Sequence, residues 1–207
     1  MKHKIYALLL GLAVWGSFAA DLYAGASPAQ QVIEDFLSTI RAMECPVKNQ
    51  AQHDALTQKA NAALDLESMG DRALGDHLKE ATADQHKAFL ELLWKLIEYV
   101  AYPKSSRFLG HYQITYPEIK NGADGVEVHS VVKQEEQALD AKVIYHVSQK
   151  DGVWKVNDII LDDVSIIEDL HFQFDSIVKE SQFPGLLQKM KERLNQAVKE
   201  NGLTAAP

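Results

Sequence analysis

The residues best suited to chemistry lie in a short acidic stretch between an apolar strand and a helix, Asp162-Asp163-Val164-Ser165. Together with His171, the residues Asp163 and Ser165 supply the side-chain types of a hydrolytic triad. Ser165 lacks the glycine-flanked turn that exposes a nucleophile, however, and a serine at this position is typical of a helix N-cap. The stretch therefore predicts a helix that begins at Ser165 rather than a catalytic centre.

Other groups of reactive side chains give equally weak patterns. His129 and His146 fall on neighbouring predicted strands and could meet, but a metal site also needs a third ligand and supporting hydrogen bonds. Asp158 or Asp162 in an apolar pocket would serve as a general base, which leaves a small cone-like α+β enzyme open as an alternative. We predict no metal site, no cofactor and no catalytic residue.

Composition narrows the classes of partner and the means of stabilisation. The 207-residue chain carries a formal net charge of −8, which argues against binding to nucleic acid or electrostatic docking on anionic lipid. Cys45 is the single cysteine, so an internal disulfide is impossible and we predict a buried thiol. The fold must be held together by its apolar core.

The first residues have the form of a secretory signal peptide. Lys2 and Lys4 give a basic start, an apolar run covers residues 5–20, and Ala24-Gly25-Ala26 supplies small residues for cleavage. We therefore predict a signal peptide over residues 1–26, a single domain over 27–201 and a disordered tail over 202–207. The mature protein is expected to be exported and soluble.

Apolar residues at helical spacing precede and follow a central region of strands. Asn-Gly and Asp-Gly pairs close the strands with short turns, as in an antiparallel meander. The predicted helices are 29–43, 50–64, a short helix after Asp65, 83 to about 102, 165–180, and 184 to about 200. The predicted strands are 112–119, 126–133, 141–148 and 153–161. This order predicts an α+β fold, with a four-stranded antiparallel sheet packed against N-terminal and C-terminal helices.

The apolar faces of these elements are larger than one sheet needs for packing. The long helix, the strands and the helix that follows Ser165 each present a wide face of Leu, Ile, Val and aromatic residues. An ordinary packed core is the first interpretation of these faces. An apolar ligand cavity between the sheet and the helices is the second expectation.

Three stretches carry a resemblance to a known family. They are WKVNDIILDDVSIIEDLHFQF over 154–174, LDLESMGDRALGDHLKEATADQ over 64–85, and FPGLLQKMKERL over 183–194. Taken in their order along the chain, they resemble the MlaC/toluene-tolerance family of periplasmic phospholipid-binding proteins. The chain departs from that family at Leu170-His171, where a tyrosine-arginine pair is usual.

The resemblance implies a periplasmic lipid carrier without enzymatic activity. Such a carrier holds phospholipid acyl chains in its cavity and shuttles lipid between an outer-membrane lipoprotein complex and an inner-membrane ABC transporter with an MCE-domain protein. This traffic maintains outer-membrane lipid asymmetry. A hopanoid-associated branch of the same family, which would carry a polycyclic or other apolar lipid, is the alternative.

The position of apolar residues within the predicted elements indicates which side chains would line the lipid cavity. His171 stands where the family's basic residue would contact a head group or a partner, with a role that is weakened or pH-dependent here. The predicted lining residues are Leu93, Ile97, Val100, Val128, Val143, Tyr145, Ile160, Val164, Ile167 and Phe174.

Overall fold

Six helices and a five-stranded sheet make up the part of the chain that the computed structural model describes, residues 26–110, 112–134 and 137–200. A 3₁₀ turn, Gly75–Lys79, follows α3, and a π-helical turn, Ile97–Ala101, follows α4. The helices are α1 Pro28–Arg41, α2 Gln50–Ala62, α3 Leu66–Leu74, α4 Ala83–Leu96, α5 Tyr102–Leu109 and α6 Ile166–Glu200.

Side-chain caps account for the starts of several helices, α1 and α4 among them. The Ser27 hydroxyl accepts a hydrogen bond from the amide of Gln30 at 3.1 Å, at the start of α1. The Thr82 hydroxyl accepts from the Gln85 amide at 3.2 Å, and the Gln85 side chain accepts from the Thr82 amide at 2.9 Å. This reciprocal pair satisfies two amides that lack partners inside α4, so both predicted caps are confirmed.

The long helix predicted over 83–102 is divided into α4, the π-helical turn and α5. Pro103 lies in the first turn of α5. A proline has no amide to donate, and its ring crowds the carbonyl four residues earlier, which is that of Tyr99. The wider π-helical turn over Ile97–Ala101 places this crowded carbonyl where regular α-helical hydrogen bonding is already interrupted.

The sheet is antiparallel with strand order β1-β2-β3-β4-β5, so the predicted α+β class is confirmed and the predicted count of four strands is wrong by one. The additional strand is β5, in which Val164 pairs with Leu161. Asp162 and Asp163 turn the chain between β4 and β5 with φ values of 47° and 68°. Two residues are too few to show alternation in the sequence. The strands are β1 Tyr112–Gly122, β2 Gly125–Gln134, β3 Gln137–Lys150, β4 Val153–Leu161 and β5 Val164–Ser165.

A β-bulge in β4 changes which of its side chains face the helices. Val156 pairs with Val147, but Ile159 pairs with Tyr145, because β4 has one more residue than β3 between these pairs. The extra residue reverses the alternation beyond it. Ile160 therefore pairs with Ile144 and lies on the face opposite Tyr145.

One apolar core joins the inner face of the sheet to the helices. The Phe89 ring of α4 meets the rings of Phe174 and Phe183 of α6 edge to face, with centroid separations of 5.4 and 6.3 Å. Side chains from several elements are fully buried in this core: Ile33, Leu66, Leu74, Phe89, Val128, Val147, Val156 and Leu186. The sheet and the helices thus form a single packed unit.

The last helix contains a break where the sequence predicts two separate helices. Gln182 adopts φ 58° and ψ 177°, outside the helical region, and Pro184 follows it. The Ser181 hydroxyl donates to the carbonyl of Ile177 at 2.9 Å and so satisfies one of the acceptors before the break. The predicted interruption at 181–183 is confirmed.

Within the described ranges, no helix has the length and apolarity needed to cross a membrane. The predicted signal peptide over 1–26 lies outside these ranges except for Ala26, and the predicted tail over 202–207 lies outside them entirely. Cys45, predicted to be buried, is half-buried.

Candidate functional site

Asp158 is the centre of the corner between the sheet and α6. The residue is only 3% exposed. One carboxylate oxygen accepts from the amides of Ile159 at 2.8 Å and Ile167 at 3.4 Å. The other accepts from the Ser165 hydroxyl at 2.8 Å and from Arg72 at 3.3 Å. Because four donors converge on it, Asp158 anchors β4, β5, α6 and α3 to one another, which does not suit a general base.

The residues of the potential triad are engaged separately. The Ser165 hydroxyl donates to Asp158 and accepts from the amide of Glu168 at 3.1 Å, so Ser165 caps α6 as predicted. His171 points elsewhere, with Nδ1 3.1 Å from the carbonyl oxygen of Ala73. Asp163 is exposed in the turn before β5. This arrangement has no nucleophile–base contact.

His171 packs α6 against the end of α3. A carbonyl oxygen only accepts, so His171 donates from Nδ1 to Ala73. The ring also covers Gly75, where an added Cβ would lie 2.6 Å from His171 Cε1. At the position where the predicted family resemblance breaks, the histidine thus makes a contact between helices. The prediction that it touches a head group or a partner stays a prediction.

His129 and His146 meet at a single carboxylate. The Nε2 atoms of His129 and His146 lie 3.0 and 3.5 Å from different oxygens of Glu127. In the parts of the chain that the structure describes, no three His, Cys, Asp or Glu side chains are arranged to hold a metal ion. The two histidines therefore flank the Glu127 carboxylate on the sheet, and His129 is hydrogen-bonded to it.

Most of the predicted lining residues lie together between the sheet and the helices. Ile97 is half-buried and packs against the core that contains them. Burial raises the pKa of the Tyr145 phenol, so its hydroxyl stays protonated among these apolar side chains. The predicted residues that are buried in this core are Leu93, Val128, Val143, Tyr145, Ile167 and Phe174.

Three predicted lining residues lie elsewhere. Val100 packs in a separate small cluster with Tyr99 and Ala197. Ile160 lies on the opposite face of the sheet because of the β4 bulge, so its prediction on the inner face is wrong. Val164 is 57% exposed at the edge of the sheet, which corrects its prediction as a buried wall residue.

Sequence reasoning missed the residues that bind the corner from outside its own segment. Arg72 of α3 donates to the carbonyl of Asn157 at 3.0 Å as well as to Asp158. The backbone of Asp65 and Ala63 also exchanges hydrogen bonds with Val156 at 2.9 Å. An arginine in a short helix carries no signal for a partner 86 residues away. The signal in the sequence that could have pointed to this contact is a single aspartate, Asp158, within an apolar strand.

Comparison with known proteins tests the family resemblance that the sequence predicts. The family model described as MlaC protein matches residues 30–192. The chain belongs to the MlaC family. The match runs from α1 into the second half of α6 and includes the whole corner at Asp158, so the predicted resemblance is confirmed.

A solved structure has a similar fold to this MlaC-family chain. It is the phospholipid-binding protein from Ralstonia solanacearum in complex with a phospholipid, with 22% identity and a TM-score of 0.67. The alignment covers 83% of this chain and 97% of that one. None of the curated proteins matches the chain.

Proposed function

We propose that this MlaC-family protein is a lipid carrier that holds the acyl chains of a phospholipid between its sheet and its helices. The observation that carries the proposal is the continuous apolar core at this interface, in a fold whose solved relative holds a phospholipid. A run of about ten methylenes buried there would contribute about 8 kcal/mol, at about 0.8 kcal/mol each. Such burial would keep acyl chains out of water during transfer.

The proposed lining is the predicted set without Val100, Ile160 and Val164. Its walls are Val128, Val143 and Tyr145 from the sheet, Leu93 and Ile97 from α4 and the π-helical turn, and Ile167 and Phe174 from α6. Val164 takes a different place in this proposal. It pairs with Leu161, which pairs with buried Val143, and antiparallel partners share a face of the sheet. The exposed side chains of Leu161 and Val164 then form the rim over which the acyl chains leave.

Opening of the core is proposed to use the two irregular points in the helices. The lining side chains now pack against one another, so cargo needs the helices to move away from the sheet. The π-helical turn begins at Ile97, within the lining, and α6 breaks at Gln182, beside buried Phe183. These positions have fewer regular helical hydrogen bonds to lose, which suits them as hinges.

The family supports the wider setting of the proposal. The protein would be exported to the periplasm by its signal peptide and remain soluble there. It would exchange phospholipid between an outer-membrane lipoprotein complex and an inner-membrane ABC transporter with an MCE-domain protein, and so maintain outer-membrane lipid asymmetry. Transfer by burial needs no covalent step. Both carboxylate oxygens of Asp158 already accept hydrogen bonds, which fits a structural role for this residue.

A vesicle-transfer assay tests this function. The protein should accelerate movement of a fluorescent phospholipid from donor to acceptor vesicles. Val143→Trp should reduce that acceleration by about fivefold or more, since the added ring fills space that the acyl chains would occupy. Ile144→Trp, one residue away on the opposite face, is the matched control and should transfer like the parent. Equal transfer rates for the folded variants would contradict the proposed site.

A further inference from the structure

A second site is indicated on the surface, away from the proposed acyl-chain lining. A groove of about 750 Å³ opens between α2, α4 and the β3–β4 hairpin. This volume is typical of sites for small molecules. Its walls include Thr57 and Asn61 of α2, Trp94 of α4, Glu98 of the π-helical turn and Lys155 of β4. None of the residues in the proposed acyl-chain lining takes part in these walls.

The groove has an excess of negative charge. Lys150 and Lys155 are its basic residues. The Lys150 ammonium lies 2.9 Å from Asp65 and 3.5 Å from Glu67, so one positive charge is shared by two carboxylates. The acidic residues in the groove are Asp54, Asp65, Glu67, Glu98 and Asp151. A cationic group would be favoured there by charge.

Two buried polar side chains beside the groove have no hydrogen-bond partner among the residues that the structure describes. Thr57 is 5% exposed and contributes to the groove wall, and its hydroxyl is unpaired. His53, one turn earlier in α2, is 4% exposed with both ring nitrogens unpaired and Nε2 3.6 Å from Glu98. Buried polar groups are nearly always hydrogen-bonded. The hydroxyl of Thr57 is able to accept from an N–H donor of a ligand.

An indole stands on the same side of the helix as the Glu98 carboxylate. Trp94 is 38% exposed and precedes Glu98 by four residues, a spacing that places two side chains side by side. Indole faces attract cations more strongly than other aromatic rings do. The π-helical turn that begins at Ile97 carries Glu98, and such turns are frequent at functional sites.

We propose that this groove binds an ammonium group, with Glu98 as its counter-ion, Thr57 as a hydrogen-bond acceptor and Trp94 against the cation. Two kinds of ligand carry this chemistry: a free amine such as a polyamine, and the head group of a zwitterionic phospholipid. Only the second kind rests on the proposed function, because it requires the protein to bind lipid. The free-amine form stands independently of lipid transfer.

Isothermal titration of the protein with spermidine, ethanolamine and choline tests the free-amine form. Glu98→Gln and the nearly isosteric Thr57→Val should each weaken binding, the former by about tenfold or more, since a charged hydrogen bond is lost. Glu91→Gln, which changes an exposed carboxylate of α4, is the matched control and should bind like the parent. If Glu98→Gln fails to fold, the Thr57→Val result decides.

A lipid-selection experiment tests the head-group form. The protein is incubated with vesicles of equal phosphatidylethanolamine and phosphatidylglycerol, and the bound lipid is quantified. Preference for the ethanolamine lipid, lost in Glu98→Gln and kept in Glu91→Gln, would support the head-group form. Binding of soluble amines with the same variant pattern would support the free-amine form. If neither pattern is found in folded variants, the groove is not an ammonium site, whether or not the protein carries lipid.

Discussion

Replacing Asp158 by alanine should destabilise the protein strongly, because this carboxylate binds donors from four segments at once. The Ser165 hydroxyl and the Ile167 amide lie in buried surroundings and would lose their acceptor. Each orphaned buried donor costs about 1–3 kcal/mol. Arg72 is half-exposed and would regain water, so its ion pair adds about 1 kcal/mol or less.

The expected loss in the free energy of unfolding is therefore about 2–5 kcal/mol for Asp158→Ala. The free energy of unfolding of a typical domain is about 5–15 kcal/mol, so this loss would be a large share of the total stability. Asp158→Asn keeps an acceptor oxygen and should lose less, and Arg72→Ala should lose about 1 kcal/mol or less. Asp124→Ala, at an exposed carboxylate in the β1–β2 turn, is the control and should change stability by about 0.5 kcal/mol or less.

Equilibrium urea unfolding measures these differences. Tryptophan fluorescence is a suitable probe, since Trp154 lies in β4 and packs against the core. The anchoring account requires the order Asp158→Ala, Asp158→Asn, Arg72→Ala, from the largest loss to the smallest. An Asp158→Ala protein as stable as the Asp124→Ala control, or an Arg72→Ala loss equal to that of Asp158→Ala, would refute it.

Two further predictions concern the contacts of α6 with the segment after α3. Gly75→Ala should lower the melting temperature, with a cost of about 1–3 kcal/mol, for two reasons: φ is 56°, and the new Cβ would strike the His171 ring. Adding His171→Ala removes the ring and should recover only the part of the loss that comes from this clash. His77 lies 3.1 Å from both Glu80 and Asp175. The hydrogen bond to Glu80, and to a smaller extent the one to Asp175, raises the pKa of His77 above 6.5. Its stabilisation is thus fully present below the unfolded pKa of 6.5 and is lost as pH rises through the folded pKa. His77→Gln should therefore cost more stability at pH 5.5 than at pH 8.5, and thermal melts showing an equal loss at both would contradict this assignment.

Local chemistry in the sequence was sufficient to predict much of the fold. The cap at Ser27 and the reciprocal pair Thr82–Gln85 depend only on residues three apart, and each is present. Alternation along β3 placed Val143 and Tyr145 together on the buried face. Such features are predictable because the interacting residues are neighbours in the chain.

Features that depend on one inserted residue or on distant partners were not predictable. Ile160 would share a face with Val156 in a regular strand, but the bulge between them reverses its direction. Strand β5 has no period because it contains only two residues. Arg72 and Asp158 are 86 residues apart in the chain and meet only in the tertiary fold, so neither the charge pattern nor the periodicity reveals the pair.

The central claim, that a phospholipid lies between the sheet and the helices, is tested most directly by native mass spectrometry. The protein is purified without detergent, and the released ligand is identified by lipid extraction and fragmentation. We expect a bound species with the mass of a phospholipid in the parent and in Ile144→Trp, and its loss in folded Val143→Trp. A folded parent protein that yields no lipid would contradict the claim, and a polycyclic lipid in its place would contradict phospholipid as the cargo.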